Sequence, residues 1–218
     1  MFKLLRAFAF SIVFGALLFG LAGRWDLPLL WAYAAVFSGF ALAGTLTMDP
    51  ELARERFFPA AGGVDRKITR ALAGSAYLAH IAVASLDVGR FHWSDTVPIR
   101  LQIAALVLFA ACMAWANWAM FVNRFFSPIV RIQEERGHHL ITAGPYGYVR
   151  HPGYAGAILG IPLSAIALGS WWSLVPAVVF MGAILRRVIL EDAFLQDHLD
   201  GYRAYSKEVR YRLLPGIW

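Results

Sequence analysis

Five long apolar segments without a charged residue restrict what this chain can fold into. They cover residues 7–23, 27–48, 71–86, 101–123 and 153–185. About 20 apolar residues in a helix cross the hydrocarbon core of a bilayer, and a helix suits lipid because it pairs its own backbone N–H and C=O groups. The sequence therefore predicts an all-α protein, a polytopic transmembrane helical bundle.

The last apolar segment, 153–185, is too long for one span and short for two. Gly169, Ser170, Trp171 and Trp172 lie at its middle, where a tight turn and interfacial aromatic side chains would be expected. We therefore predict a C-terminal helical hairpin with arms of roughly 16 residues and about 24 Å each. The hairpin brings the number of spans to about six. A single kinked helix, and with it five spans, is the alternative.

The basic residues are distributed unequally between the two sides of a six-span bundle. Of 20 Lys and Arg residues, only Arg24, Arg90 and Arg100 fall on one side. Cytoplasmic segments of membrane proteins carry an excess of Lys and Arg. We therefore expect an integral membrane protein with both termini and the loops 49–70 and 124–152 in the cytoplasm.

Composition argues against several other classes of protein. The formal net charge of +6 is dispersed between apolar segments, which favours membrane lipids over nucleic acid as the partner. The single cysteine, Cys112, excludes an internal disulfide and a thiol-rich metal site. No glycine-rich nucleotide-binding signature occurs, so a soluble Rossmann-type domain is not expected. Lys3 and Arg6 could begin a signal peptide, but the length of the following apolar segment favours a retained first helix.

The segment 138–156 concentrates chemically versatile residue types between apolar sequences. It holds three His, one Arg, three Tyr, two Pro and four Gly. Gly and Pro fix a particular backbone path, and Arg and His are hydrogen-bond donors for an anionic or zwitterionic ligand. Two interpretations are open from these residue types: a ligand-binding loop, or a basic loop that only anchors the flanking helices.

Two further groups of polar residues also have a structural and a functional interpretation. Arg187 and Glu191 stand at i and i+4 on a predicted helix. They form either an ordinary surface pair worth ~0.3–0.5 kcal/mol or part of a site where the last span leaves the bilayer. His138, His139, His151 and Glu191 include metal-ligand types, but adjacent histidines diverge on most backbones and no His-x-x-x-His spacing occurs. No metal site is therefore predicted.

The C-terminal segment from Arg186 onward has an amphipathic pattern. Apolar residues recur at helical spacing between positions 188 and 202, and a break is expected near Gly201. The helix is then predicted to resume and to continue until Pro215 ends it. This segment would either lie along the membrane surface or fold back on the bundle.

An ordered series of motifs occurs between residues 123 and 218. It consists of Gly144-Pro145-Tyr146-Gly147-Tyr148-Val149-Arg150-His151-Pro152-Gly153-Tyr154-Ala155-Gly156, then Glu191-x-x-x-Leu195, then Gly201-Tyr202-x-x-Tyr205, and finally Val209 and Pro215. This series resembles the isoprenylcysteine carboxyl methyltransferase family, which belongs to a wider group of integral-membrane methyltransferases that includes phospholipid N-methyltransferases. Residues 1–122 are accordingly assigned to N-terminal transmembrane helices with a cytoplasmic loop, and residues 123–218 to a catalytic methyltransferase region.

The resemblance implies that the cytoplasmic loop and the C-terminal helices enclose S-adenosyl-L-methionine, with S-adenosyl-L-homocysteine as product. It also implies a lipid-accessible tunnel for the methyl acceptor. The residues that match cofactor-binding positions of the family are Gln133, His138, His139, Leu140, Ile141, Tyr146, His151, Pro152, Gly153, Tyr154 and Glu191. Arg187 matches the arginine assigned to the substrate, so Arg187 and Glu191 are the predicted catalytic residues.

The function expected from these features is methyl transfer to a lipophilic or lipidated acceptor, in the first place carboxyl O-methylation of an isoprenylcysteine-type substrate. A carboxylate acceptor needs a cation such as Arg187, or its neighbour Arg186, whereas an amine acceptor would need deprotonation. Methylation of a phospholipid amine or a small thiol is one alternative, and a non-catalytic membrane scaffold or transporter is another. A pattern from Glu51 to Arg66, found in some bacterial relatives, suggests a cap over the site. We accordingly expect a location in a bacterial inner membrane, with the active site on the cytoplasmic side. The oligomeric state is left open.

Overall fold

The structure is a computed structural model that describes residues 2–59, 63–64 and 67–218. Within these residues the chain forms eight α-helices and no strand, which confirms the predicted all-α class. The helices are α1 (Phe2–Ala22), α2 (Pro28–Thr47), α3 (Pro50–Phe57), α4 (Lys67–Leu86), α5 (Ile99–Val122), α6 (Pro152–Ala167), α7 (Leu174–His198) and α8 (Tyr202–Glu208).

Four stretches of helix are long and apolar enough to cross a membrane. They are Leu4–Ala22, Pro28–Thr47, Lys67–Phe91 and Ile99–Val122. They coincide with the first four apolar segments of the sequence, so the predicted polytopic helical bundle is confirmed. Large apolar side chains are exposed on the outer faces of these helices, for example Val107 at 64%. Such exposure is expected where the surrounding solvent is lipid, because lipid tails are as apolar as the side chains.

The fifth apolar segment forms the predicted helical hairpin. α6 has 16 residues, and α7 begins after a turn over residues 168–173. Gly169 in this turn has a φ of +80°, a left-handed conformation that glycine adopts without a steric penalty. α7 then continues for 25 residues through Arg186 to His198. The last apolar arm and the first part of the amphipathic tail are therefore one continuous helix.

The hairpin packs closely against α5. A Cβ built on Gly156 would come within 2.8 Å of the Cys112 backbone oxygen and 3.0 Å of the Ala116 Cβ. The missing side chain thus lets the backbones of α5 and α6 approach each other. Tyr33 and Ile81 belong to a separate core cluster that joins α1, α2 and α4 to α5. The same cluster includes Ala167 and Leu168 at the end of α6, so the hairpin packs directly against the N-terminal helices as well as against α5.

Buried hydrogen bonds fix the hairpin relative to α4. His80 on α4 is hydrogen-bonded through Nδ1 to the Ser173 backbone oxygen (3.1 Å) and through Nε2 to Ser164 Oγ (2.8 Å). Beyond α4, Asp87 accepts a hydrogen bond from Ser170 Oγ in the hairpin turn at 2.5 Å. All of these polar residues are buried, so the bonds satisfy groups that water cannot reach. His80 therefore has a structural role.

The chain after α7 does not follow the predicted course. Gly201, with a φ of +80°, turns the chain between α7 and α8, as expected from the break in the pattern. The prediction that the next helix continues until Pro215 is wrong, because α8 already ends at Glu208. Of the two predicted dispositions, the structure has the one in which the tail folds back on the bundle.

Backbone pairing with the segment before α6 explains why α8 ends early. The N–H groups of Arg150 and His151 donate to the carbonyls of Tyr211 and Arg212, each at 2.9 Å. The Arg212 N–H in turn donates to the carbonyl of Trp218 at 2.9 Å. A helix through these residues would use the same backbone groups, so pairing with the distant segment excludes it.

Candidate active site

A cavity of about 410 Å³ lies at the end of the bundle opposite the hairpin turn. Its volume falls in the range of ~300–1,000 Å³ that is typical of small-ligand sites. The loop after α5, the start of α6, the second half of α7, and α8 form most of its wall, and α3 and α4 close one side. The predicted site residues that line it are His138, His139, Leu140, Ile141, Tyr146, His151, Gly153, Tyr154, Arg187 and Glu191.

The start of α6 shapes this wall. Pro152 occupies the first turn of α6, where a missing N–H breaks no helical hydrogen bond. A Cβ built on Gly153 would lie 2.5 Å from the ring of Phe126, so any side chain at this position would displace the ring. Gly153 therefore lets the helix start directly beneath the loop that carries Phe126, and Tyr154 follows it into the cavity wall.

Tyr154 connects the two predicted catalytic residues. Its hydroxyl donates to Glu191 Oε2 at 2.6 Å and accepts from Arg187 Nε at 2.6 Å. Arg187 also donates through Nη2 to the Pro128 backbone oxygen at 2.5 Å. The side chains of Arg187 and Glu191 are 11% and 23% exposed, and their closest charged atoms are 3.9 Å apart. The i, i+4 pair thus belongs to the cavity wall, and the two residues are connected mainly by hydrogen bonds to the tyrosine hydroxyl between them.

Asp192 on α7 joins the Arg-His motif to the C-terminal tail. Its side chain is fully buried and accepts hydrogen bonds from Arg150 Nε at 2.7 Å and Arg212 Nε at 2.9 Å. His151 Nε2 lies 3.2 Å from the same carboxylate, and the Tyr202 hydroxyl donates to it at 2.9 Å. One carboxylate therefore holds together the start of α6, α8 and the tail behind the cavity wall.

The surroundings of Asp192 favour its ionised form. Burial alone would raise the pKa of this carboxyl group, but hydrogen bonds from His151, Arg150 and Arg212 lower the pKa well below its ordinary value. Arg150 also donates to two backbone carbonyls of the tail, at 2.8 and 2.7 Å. Loss of the carboxylate would leave this guanidinium buried without a counter-charge.

The two adjacent histidines point in different directions. The Gln133 backbone N–H donates to His138 Nδ1 at 3.3 Å, which leaves the proton of the neutral ring on Nε2. His139 Nδ1 instead lies 2.9 Å from a backbone oxygen of the preceding turn. The Gln133 side chain is buried and bonds to the Phe125 carbonyl at 2.8 Å. Among the described residues, no three His, Cys, Asp or Glu side chains converge in a way that could hold a metal ion.

We expect the His138 ring to stay neutral at physiological pH. Burial lowers its pKa to about 4, and the charges of His139 and Arg136 act in the same direction. This folded-state value lies below the ordinary value of ~6.5, so the contribution of the neutral ring to stability is complete above about pH 6.5 and is lost as the pH falls toward 4. In an NMR titration of 15N-histidine-labelled protein, the His138 signal, identified by its absence in His138→Gln, should titrate with a midpoint no higher than about pH 5. A midpoint near 6.5 would contradict the assignment.

α3 is held against the loop after α5 by a buried ion pair. Arg131 donates to Glu55 through Nε and Nη2 at 3.1 and 2.7 Å, and the two side chains are 9% and 6% exposed. Ser127 Oγ donates to the same carboxylate at 2.8 Å. These contacts bring the end of α3 to the cavity. Asp65 and Arg66, which belong to the predicted cap pattern, lie outside the described residues.

Three residues named from the sequence do not line the cavity. Gln133 is buried behind the loop, and Pro152 forms the start of α6. Arg186, the rival of Arg187, is exposed and does not belong to the cavity lining. Of the two neighbouring arginines, Arg187 is therefore the one positioned to meet a ligand.

The sequence-based prediction missed several residues of the site. The basic pair Arg150-His151 next to an apolar segment was a signal that a buried acid must be nearby, because buried cations need partners. That acid is Asp192. Thr69 on α4 also lines the cavity, and no local sequence pattern links it to the site. Arg56 on α3 lies within the pattern from Glu51 to Arg66 that suggested a cap, and it lines the cavity as well.

Comparison with known proteins gives matches for this part of the chain. Residues 99–200 match the family model described as Phospholipid methyltransferase. A stretch of 86 residues is 35% identical to the Protein-S-isoprenylcysteine O-methyltransferase of Schizosaccharomyces pombe (strain 972 / ATCC 24843), covering 38% of this chain and 36% of that relative. The chain thus matches little more than a third of the length of this curated relative.

Both matches confirm the resemblance to integral-membrane methyltransferases that the motifs indicated. The family match runs from the start of α5 through α6 and α7. It therefore contains every predicted site residue, from Gln133 to Glu191. α8 and the folded-back tail follow after its end.

Proposed function

We propose that this protein, related through residues 99–200 to the integral-membrane methyltransferases, transfers a methyl group from S-adenosyl-L-methionine to a lipophilic acceptor. The proposed reaction is carboxyl O-methylation of an isoprenylcysteine-type substrate. The observation that carries the proposal is that the segment 138–141, the start of α6 and the Arg187–Tyr154–Glu191 chain line one cavity. A scaffold or transporter would have no need for this combination.

The donors and acceptors of the cavity fit S-adenosyl-L-methionine. Its methionine part is a zwitterion, so it needs donors for its carboxylate and an acceptor for its ammonium group. The His138 Nε2–H is a donor, and Glu191 supplies a carboxylate for the ammonium group or for a ribose hydroxyl. The ring of Phe125, also in the wall, offers a flat apolar surface for an aromatic base. When bound, this cofactor supplies a methyl group made electrophilic by its positively charged sulfur.

The task of the protein's own residues is then mainly to position the reactants and exclude water. Alignment of reacting groups at near-attack distance is worth ~7–11 kcal/mol for well-oriented reactions. Tyr154 sets the distance between Arg187 and Glu191 through two hydrogen bonds of 2.6 Å. Asp192 acts further away as a positioning residue that fixes His151 at the cavity wall.

Arg187 favours an anionic acceptor. A carboxylate held by a guanidinium is already a nucleophile and needs no general base. A phospholipid amine is the second candidate, and the description of the matching family supports it. An amine would have to lose a proton. Among the described residues of the wall, Glu191 is the one carboxylate, and it already accepts a hydrogen bond from Tyr154.

We further propose that residues 123–218 are the catalytic region and that the cavity opens to the cytoplasm. The distribution of Lys and Arg along the sequence supports this orientation, since Arg24, Arg90 and Arg100 alone fall on the other side. The N-terminal region, residues 1–122, would then supply transmembrane helices and, through α3 and α4, one side of the cavity.

Binding of S-adenosyl-L-homocysteine tests the proposal. Isothermal titration of the detergent-solubilised protein should give a dissociation constant in the micromolar range, equivalent to about −8 kcal/mol. S-adenosyl-L-homocysteine is suited to this test because it is the expected product and cannot react. An absence of binding at high micromolar ligand would refute the methyltransferase function.

A second experiment identifies the acceptor. Methyl-labelled cofactor is offered together with N-acetyl-S-farnesylcysteine or with phosphatidylethanolamine. We expect base-labile label in the farnesylated compound, since a methyl ester hydrolyses in base and a methylated amine does not. Base-stable label in phosphatidylethanolamine alone would establish the second candidate instead.

A further inference from the structure

Arg56, at the end of α3, is a cation in the cavity wall that no described acidic side chain neutralises. Within the part of the chain that the structure describes, it lies in no ion pair and makes a single hydrogen bond, from Nη1 to the Phe126 carbonyl at 3.2 Å. Burial lowers the pKa of this guanidinium, the charge of Arg187 lowers it further, and Tyr154 counteracts. A guanidinium has five N–H donors, and burying it beside a second cation is costly unless an anion joins them.

Thr69, in the first turn of α4, adds an unpartnered hydroxyl to the same wall. Thr69 is 3% exposed, and its Oγ1 atom has no hydrogen-bond partner among the residues that the structure describes. Buried polar atoms without a partner are rare in folded proteins, and each one calls for an explanation such as a ligand. The first turn of a helix also favours negative charge because its N–H groups point outward.

We propose that Arg56, Thr69 and Arg187 form a subsite for the anionic head group of the methyl acceptor. The inference rests on the proposed function and extends it, because α3 and α4 belong to the N-terminal region rather than to the segment matched by the family model. In this arrangement Arg56 and Arg187 supply charge-assisted hydrogen bonds from two sides, and Thr69 supplies a neutral donor. The acceptor would thus be recognised by both halves of the chain.

The apolar part of the wall indicates what is attached to the anionic group. Ala73 lies one turn after Thr69 on α4, and Ala183 and Ile184 lie one turn before Arg187 on α7, and all three line the cavity. These residues extend from the cations toward the apolar segments of the same helices. The subsite therefore suits an oxyanion at the end of a lipophilic chain, with the head group between the arginines and the chain directed toward the lipid.

Two kinds of oxyanion share this chemistry: the carboxylate of a lipid-modified cysteine and the phosphate of a phospholipid head group. We favour the carboxylate, since an oxyanion that both binds the arginines and accepts the methyl group needs no separate base. The binding experiment therefore has two arms. One uses N-acetyl-S-farnesylcysteine and its neutral carboxamide, and the other uses a lysophosphatidic acid with a matching neutral monoacylglycerol.

The test measures the preference for an anion in wild type and in Arg56→Gln, by titration of detergent-solubilised protein with and without saturating S-adenosyl-L-homocysteine. We expect wild type to bind the carboxylate at least about tenfold more tightly than the carboxamide. Arg56→Gln should lower affinity for the carboxylate by about tenfold to hundredfold, the usual effect of losing a hydrogen bond to a charged group. Binding of the carboxamide and of S-adenosyl-L-homocysteine should change less than about twofold.

Thr69→Val and Arg54→Gln complete the design. Valine has the shape of threonine, so Thr69→Val preserves packing and should weaken carboxylate binding by about threefold to tenfold. Arg54 lies on the same helix as Arg56 but is exposed and outside this cavity, so Arg54→Gln removes the same charge and should leave the preference intact. Thr69→Val also keeps the test informative if Arg56→Gln does not fold.

Each result decides the matter. A loss of affinity for the anionic ligand in Arg56→Gln, in either arm, supports the subsite, and the arm in which it occurs identifies the source of the oxyanion. If neither anion loses affinity in Arg56→Gln and Thr69→Val, the subsite is wrong. In that case normal binding of S-adenosyl-L-homocysteine would leave the proposed function standing. Failure of S-adenosyl-L-homocysteine to bind wild type would instead refute the function, whatever the anion does.

Discussion

Replacement of Asp192 by asparagine is expected to cost about 3–5 kcal/mol of folding stability, as is typical when one partner of a buried charge pair is removed. The carboxylate is fully buried and accepts hydrogen bonds from Arg150 and Arg212. Asparagine has the same size but no charge, and its amide group would present N–H donors to these guanidinium groups. Compared with a total stability of about 5–15 kcal/mol for a typical domain, this loss is large.

Thermal unfolding of the detergent-solubilised protein, followed by intrinsic tryptophan fluorescence, measures the effect. Asp197→Asn is the matched control, since Asp197 also lies on α7 but pairs with Arg203 at the surface, where the side chains are 60% and 72% exposed. Such exposed pairs contribute about 0–1 kcal/mol. Limited proteolysis should in addition release the tail after Val209 in Asp192→Asn. Equal melting temperatures for the two variants would show that Asp192 does not hold the tail.

The membrane-spanning part of the fold was predictable because lipid imposes a one-dimensional requirement on the sequence. A span needs an uninterrupted apolar segment, and such a segment is visible without knowledge of its neighbours. The hairpin was visible for a local reason as well, since Gly169 adopts a positive φ in the turn between α6 and α7. Neither feature depends on contacts between distant residues.

The remaining features depend on contacts that the sequence does not display. Glu55 and Arg131 form a buried ion pair across 76 residues, and no periodicity links α3 to the loop after α5. The end of α8 at Glu208 likewise follows from backbone pairing with Arg150 and His151, which competes with a helix that the local pattern favours. Tertiary pairing therefore overrode local propensity in the tail.

The candidate site was predictable in part. The motif of segment 138–156 and the i, i+4 pair on α7 led to residues that line one cavity, because a motif carries the spacing of a whole site. It does not indicate which side chains face the cavity, and so Gln133 and Pro152 were included although neither lines it. Asp192 was overlooked because it acts behind the cavity wall and belongs to no recognisable motif. The sequence indicated it only indirectly, through the basic residues Arg150 and His151, which have no acidic residue near them in the sequence.

Arg187→Ala is expected to reduce kcat/KM for a carboxylate acceptor by about a hundredfold or more, while S-adenosyl-L-homocysteine binds as in wild type. Truncation of one partner of a buried, hydrogen-bonded charge pair costs about 2–5 kcal/mol, which corresponds to factors of ~30 to several thousand. The loss should fall on the acceptor because Arg187 contacts Glu191 mainly through the Tyr154 hydroxyl, and their closest charged atoms are 3.9 Å apart. Initial rates at saturating cofactor, together with calorimetric binding, separate the two contributions.

Arg186→Ala is the control for this prediction, because it removes the same charge from the adjacent position, which is exposed and outside the cavity. Its kcat/KM should stay within about twofold of wild type, as expected for a surface substitution.

Glu191→Ala should show the reverse pattern to Arg187→Ala, with cofactor affinity lowered by about tenfold to hundredfold through loss of a charge-assisted hydrogen bond. Normal binding of S-adenosyl-L-homocysteine by Glu191→Ala would show that Glu191 does not hold the cofactor. Equal impairment of Arg186→Ala and Arg187→Ala would show that Arg187 does not hold the acceptor. If Arg187→Ala loses only acceptor use and Glu191→Ala loses only cofactor affinity, the Tyr154 hydroxyl between them marks the boundary between the acceptor site and the cofactor site.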